Sequence, residues 1–320
     1  MQSALDTLAA HGDNPSSFLA LNSGNEYFHD DRVAGTCAYR RSGRYTLQFG
    51  GPFCAPQHRE RLLESFVAHT GRRLVAVQLQ RNDAELYLRS GFTVNQIGAS
   101  YAVDLSRFTL RGKRFVRLRN KISRARREGL EVAELAHDDD CGELDRLDRH
   151  WLRDKGRHGK ELRFLVGQRG GPLQRHRRLF VGRIAGTAVG YINYAPVYGS
   201  RPGWLHDLSR RLPDAPPGVM EALNSSAIER FTAEGAAWLH FGFTPFTGLA
   251  DEHELPGAGR GFARFTRLLA EHGEAVYPAA SQLEYKEKWA PHAVLPEYIA
   301  FLGRPRLGAV WQLLRATNSL

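Results

Sequence analysis

The run Trp204–Leu223, WLHDLSRRLPDAPPGVMEAL, passes from strand to turn to helix, and its grammar sets the fold class of the chain around it. Trp204 to Leu208 alternates apolar and polar residues, Pro213 to Gly218 is too rich in proline to extend a strand, and helical spacing begins at Val219. Asp207, Arg210 and Arg211 therefore fall just ahead of a helix N-terminus, whose free N–H groups and dipole favour a negatively charged or carbonyl-bearing ligand. His206 and Asp207 are strand neighbours and point to opposite faces, so they do not form a dyad. Asp207 and Arg210 converge only if the strand ends between them; a turn ion pair of purely structural value is the other reading.

Working outward, the same grammar recurs on both sides. After Trp204–Leu223 the pattern gives a helix from Val219 to Glu234 packing through Met220, Leu223, Ala227 and Phe231, a strand at Trp238–Phe243, a helix at Phe262–His272 and a strand at Gln282–Lys288. Ahead of it, Leu179–Tyr194 reads as two strands joined at Ala185-Gly186, and 143–153 as a helix with Leu144, Leu147 and Trp151 on its inner side. The first third predicts strands at FLALN (18–22), GTCAYR (35–40) and RYTLQF (44–49), a helix at His58–His69, a strand at Leu74–Leu79, a helix at Asp83–Ser90 and a long strand toward Leu105. The expectation is an α/β (α+β) protein of two related domains in tandem, 1–110 and 130–320, each a mixed sheet flanked by helices.

The connector at 111–129 stands out. Arg111–Arg127, RGKRFVRLRNKISRARR, holds nine Lys or Arg and no acid. Phe115, Leu118, Ile122 and Ala125 recur at helical spacing, so one stripe docks while Arg114, Arg117, Lys121, Arg124 and Arg127 project. A run of this density repels itself and calls for anions; phosphate is the natural partner, and a solvated linker helix the bland alternative.

Composition agrees with a folded chain. Of 320 residues, 42% are hydrophobic and 24% charged, which excludes disorder and repeat architectures, and a net charge of +10 points to a polyanionic partner such as nucleic acid or an anionic membrane. Cys37, Cys54 and Cys141 are odd in number and far apart, so neither a disulfide framework nor a cysteine-rich zinc site is expected, and a reducing cytoplasm fits. No apolar run approaches the ~18 residues a membrane span needs. There is no His-x-x-x-His, no Cys-x-x-Cys and no Gly-x-Ser-x-Gly elbow, so neither a metal nor a serine-nucleophile mechanism is indicated. The basic C-terminal segment 304–318, with Val310, Trp311, Leu313 and Leu314, either packs on its own domain or lies on a membrane surface.

Two resemblances sharpen this. NDAELYLRSGF (82–92) resembles a late helix of the GNAT acyltransferase fold, but neither GGPFCAPQHRER (50–61) nor PDAPPGVME (213–221) carries the Arg-x-x-Gly-x-Gly phosphate loop of its acetyl-CoA members. More of the chain resembles the catalytic domain of the phosphatidylglycerol lysyltransferase family. The pieces are LRNKISRARREGLEV (118–132), Trp151 with GKELRF (159–164), HDLSRRLPDAPPGVMEAL (206–223), FGFTPFTGL (241–249), LEYKEKWAP (283–291) and PEYIAF (296–301). That resemblance implies two GNAT domains in tandem, aminoacyl-tRNA as donor and no further cofactor. It places Asp207 and Arg210 at the aminoacyl end of the site, and Glu161, Phe243 and Lys288 near the same cleft. With Gly218 at the helix start beside the reacting carbonyl and the basic helix on tRNA, the expected activity is aminoacyl transfer to a hydroxyl or amine. Because members that act on lipid carry a transmembrane region ahead of this domain, a small-molecule acceptor is expected here, with lipid and a peripheral membrane contact left open. Acyl-CoA-dependent N-acyl transfer and non-catalytic tRNA binding are the rival readings.

Overall fold

The computed structural model describes residues 2–71, 73–136, 142–154, 164–272 and 279–318. The first hundred residues form α1 (Gln2–His11), β1 (Glu26–Asp30), β2 (Val33–Ser42), β3 (Tyr45–Cys54), α2 (Arg59–Thr70), β4 (Leu74–Leu79), α3 (Arg81–Arg89) and β5 (Phe92–Asp104). The expected order of strands, helix, strand, helix, strand holds from β2 onward. FLALN is different: Ser17–Leu21 is a 3-10 turn with every residue buried. A short apolar run without alternation does not distinguish a strand from a buried turn.

Next come α4 (Val116–Arg127), β6 (Glu131–Leu135), α5 (Glu143–Asp154), β7 (Arg178–Ile184), β8 (Thr187–Val197), β9 (Gly203–Arg211), α6 (Val219–Ala233) and β10 (Trp238–Pro245), followed by α7 (Arg260–His272), α8 (Ala279–Glu287), β11 (Ala293–Leu302) and α9 (Leu307–Ala316). The segment read as a strand at Gln282–Lys288 is largely α8, a helix that ends at Glu287, two residues before the fully buried Trp289 that packs against Phe241.

By internal contacts the chain divides into one compact unit of Met1–Ala102, Val197–Arg201 and Phe241–Leu320, and another of Val103–Pro196 and Pro202–His240. The sequence draws its boundary at 111–129 and gives all of 130–320 to one domain; the contacts instead return 241–320 to the unit that holds the N-terminus. The reason is β11, which inserts between β4 and β5 and is antiparallel to both. The sheet of that unit runs β1-β2-β3-β4-β11-β5, with β3 and β4 parallel and the other pairs antiparallel. Leu62, Leu63 and Phe66 of α2 and Ala84 and Tyr87 of α3 pack on it in one buried cluster.

In the other unit β6, β7, β8 and β9 lie side by side, and the first residues of β10 run parallel to β9. Alternation along β7 sends Leu179 and Val181 to one face and Phe180 to the other. On the first face they meet Leu144 and Leu147 of α5, Tyr191 and Leu208; each buried leucine contributes about 2 kcal/mol. On the second face Phe180, Tyr194 and Phe231 of α6 pack edge to face, with Trp204 stacked on Phe231. The stripe Phe115, Leu118, Ile122 and Ala125 is buried as its spacing predicts, and α4 packs on α6. Among the described residues no helix is long and apolar enough to cross a membrane.

Candidate active site

Asp207 and Arg210 both sit on β9, which continues through Arg211. The turn expected between them is therefore absent. What brings order instead is a slip in the alternation of β9: Leu205 and Leu208 are both buried, three residues apart, after which Arg210 resumes the period of two.

Each of the two has its own partners. The Asp207 side chain is only 1% exposed, although its backbone reaches solvent, and the Arg177 Nε lies 3.6 Å from its Oδ2. That is an ion-pair distance, longer than a hydrogen bond of good geometry. Burial pushes the carboxyl up to about 6, against the opposing pull of Arg177. Gly167 covers it: a Cβ there would overlap the Asp207 carboxylate, so a larger residue would have to displace that side chain. Burial also lowers the affinity of Arg177 for its proton, with Asp207 opposing that shift.

Arg210 is clamped between an acid and an aromatic ring. Its guanidinium forms an ion pair with Asp148, 3.0 Å from Oδ1, and lies 4.9 Å from the centre of the Trp151 ring. Asp148 also accepts a hydrogen bond from the Tyr191 hydroxyl at 2.8 Å and pairs with Arg169 at 2.9 Å; Arg169 reaches Asp145 as well. Asp148 is thus a hub that holds two guanidiniums and a phenol against α5. Sequence reasoning missed it, yet its signal was present: an acid within the apolar stripe Leu144, Leu147, Trp151 must face inward and needs a buried cation. Arg169 and Arg177 carry no such signal. Glu161 lies outside the described residues.

The remaining predicted residues fall elsewhere. Gly218 is the N-cap of α6 with φ +98°, and a Cβ there would overlap the Lys121 carbonyl oxygen, so its immediate task is the close approach of α6 to α4. On α4 the cations are not all uncompensated: Lys121 faces Glu221 at 3.5 Å, Arg124 pairs with Glu128 at 2.8 Å and Arg126 with Glu229 at 3.5 Å. Arg114, Arg117 and Arg127 are exposed. The acids come from α6 and from just beyond the basic run, where a local reading of charge does not look.

In the other unit, Phe243 is half-buried on β10, and Lys288 follows α8, 3.5 Å from Glu284. The inward lysine is Lys286. Its Nζ donates to Gly242 O at 2.8 Å, Phe243 O at 3.2 Å and Thr244 Oγ1 at 2.5 Å. Burial holds this ammonium well below the usual lysine range, with Glu297 opposing, and burial raises the Glu297 carboxyl, with Ser100 and Lys286 opposing. On a strand Lys286 and Lys288 would share a face; on a helix they diverge by about 200°. Reading α8 as a strand therefore hid which lysine points inward.

A recess of about 670 Å³ opens over β6, β7 and α6, lined by Val132, Glu134, Arg178, Phe180, Ser226 and Arg230. It does not include Asp207, and its charges are spent on each other, Arg178 being held by Glu134 and Glu234. Among the described residues no group of three His, Cys, Asp or Glu is arranged to hold a metal ion.

The family profile described as phosphatidylglycerol lysyltransferase, C-terminal, matches residues 5–301. A Bacillus subtilis phosphatidylglycerol lysyltransferase is 26% identical over 293 residues, covering 88% of this chain and 32% of the relative. The Rhodococcus opacus lysylphosphatidylglycerol biosynthesis bifunctional protein LysX is 26% identical over 267 residues, 79% of this chain and 23% of the relative. The chain thus spans a third or less of the length of these curated relatives. The solved structure of L-PGS from Bacillus licheniformis superposes with a TM-score of 0.80 at 22% identity, covering 98% of this chain and 95% of that one, which establishes a shared fold.

Proposed function

The chain belongs to the phosphatidylglycerol lysyltransferase C-terminal family, and from that premise we propose that it transfers an aminoacyl group, lysyl in the first instance, from tRNA to a hydroxyl. The names of the relatives support phosphatidylglycerol as the acceptor, and no observation favours a small molecule over it. A charged tRNA as donor places the reaction on the cytoplasmic side.

The observation that carries the proposal is the buried Asp207, its carboxyl raised to about 6, on the same strand as the clamped Arg210. Aminoacyl-tRNA is an activated ester, so catalysis needs alignment, one proton acceptor and a cation for the oxyanion, with no covalent nucleophile and no cofactor. The acceptor oxygen attacks the ester carbonyl carbon while Asp207 takes its proton. The tetrahedral oxyanion collapses, the bond to the ribose oxygen breaks, and the proton passes from Asp207 to that oxygen. Arg210, fixed by Asp148 and Trp151, supplies positive charge without having to reorganise. Because Gly167 covers the carboxylate, productive binding displaces the backbone there. Arg114, Arg117 and Arg127 take the tRNA phosphates.

The finer reading of both units as GNAT-like is supported by the order β3-α2-β4-α3-β5 in one and β8-β9-α6-β10 from the other. The test offers a mixed pool of labelled aminoacyl-tRNAs with phosphatidylglycerol vesicles and a cell extract, and asks by mass spectrometry which label moves and to what. Lysyl-phosphatidylglycerol as the product supports the proposal. Release of free amino acid alone, or transfer that survives ribonuclease and depends on acyl-CoA, overturns it.

A further inference from the structure

Helix α9 packs inside out. Its contacts with the body use Ala309, which is fully buried, and Gln312, whose side-chain Oε1 and main-chain carbonyl both accept from the Ser42 hydroxyl. These positions are small or polar, joined on this side of the helix by the half-buried Leu313. At 100° per residue, the opposite side of the helix carries Leu307, Val310, Trp311 and Leu314, the i, i+3, i+4, i+7 stripe that ordinarily faces a core. Leu307 is 82% exposed and Trp311 54%, and Val310 and Leu314 are only half-buried. A helix that turns its apolar stripe outward and its small residues inward sets that stripe against something other than its own sheet.

The charges around the stripe indicate what that is. Arg304, Arg306 and Arg315 are all exposed, and from Gly303 to Asn318 there is no acidic residue. An apolar stripe with an indole near its centre and guanidiniums at both ends matches an anionic lipid surface, where Trp settles at the headgroup level and arginine pairs with phosphate. A protein partner would have to supply both an apolar groove and acids on either side of a ten-residue helix.

We propose that the exposed face of α9 docks on an anionic bilayer, Leu307 and Trp311 entering the interface and Arg304, Arg306 and Arg315 holding the headgroups. The inference stands on α9 alone and does not depend on the chemistry assigned to Asp207. Its test is flotation of the full chain with vesicles of phosphatidylglycerol and phosphatidylcholine mixed, and with phosphatidylcholine alone. The expected result is binding to the mixed vesicles, weak binding to the neutral ones, and a loss of about fivefold per charge in R304Q and R306Q at low salt. L307S/W311S should abolish flotation while its thermal melt stays native, because both side chains point to solvent. Binding of L307S/W311S at the level of the unaltered chain overturns the proposal. So does equal binding to neutral vesicles, or a dimer in light scattering that the double substitution dissolves, which would assign the stripe to a second copy of this chain.

Discussion

Asp148 Oδ1 pairs with the Arg210 guanidinium at 3.0 Å while Trp151 lies beneath the same group, so α5 fixes the direction of a strand residue that the chain never places next to it in sequence. Asp148 also holds Arg169 and Tyr191, so neutralising it weakens a largely buried polar network, at a cost of about 3 kcal/mol. D148N should lower stability by that amount in a denaturant titration, and R210K should lose the ring contact and the planar geometry while keeping the charge. A D148N midpoint equal to that of the unaltered chain would show that Arg210 is held by something else.

The pH dependence of stability reports on Asp207. Its carboxyl binds protons more tightly folded, at about 6, than at its ordinary value of 3.8, so its contribution is fully present below pH 3.8 and is lost as pH rises through 6. The loss is about 3 kcal/mol between those limits. Thermal melts of the unaltered chain and D207N across pH 4 to 7 should therefore diverge, with the substituted chain gaining relative stability as pH rises. Parallel curves would mean that the carboxyl titrates normally.

Two glycines sit at close approaches, Gly167 against a side chain and Gly218 against backbone. G167A should push against the Asp207 carboxylate, and G218A against the Lys121 carbonyl from a backbone already at φ +98°. Each should cost about 1–3 kcal/mol in chemical denaturation. G218A should loosen α4 from α6, read as faster amide hydrogen exchange along α4. Wild-type stability in both variants would contradict the packing described.

Lys286 and Glu297 form a buried polar centre with Ser100 and Thr244, and their substitutions should not add. K286M and E297Q should each destabilise, whereas the double variant should cost less than the sum by about 1–3 kcal/mol. Additive losses would place the two side chains in separate environments.

On α4 the salt dependence of tRNA binding should divide the cations. Replacing exposed Arg114, Arg117 and Arg127 with glutamine should each lower the slope of log affinity against log salt by up to about 0.9. Lys121 and Arg124, already facing Glu221 and Glu128, should change it less. The reverse ranking would remove the exposed face of α4 from the contact.

Much of this was legible in the chain wherever local pattern and tertiary role agree. The buried stripe of α4 and the ends of β4 follow from spacing alone, because each packs one face or both on its own sheet. β11 was not legible: a proline in a central strand argues against it, yet at Pro296 it pairs with β5, and its pairing with β4 begins only at Tyr298. β6, with most of its residues exposed, lacks the alternation that marks a half-buried strand. The turn expected between Asp207 and Arg210 is not formed, because β9 runs on through Arg211. The cover of Gly167 over Asp207 and the hub at Asp148 join residues 20 or more positions apart, which no local window contains.

With Asp207 as the proton acceptor in aminoacyl transfer, single-turnover transfer from labelled lysyl-tRNA to phosphatidylglycerol vesicles should depend on its carboxylate. The unaltered chain should move the label into lipid, and D207N, verified as folded, should be slower by about 100-fold or more. Transfer by D207N at the unaltered rate would contradict the account.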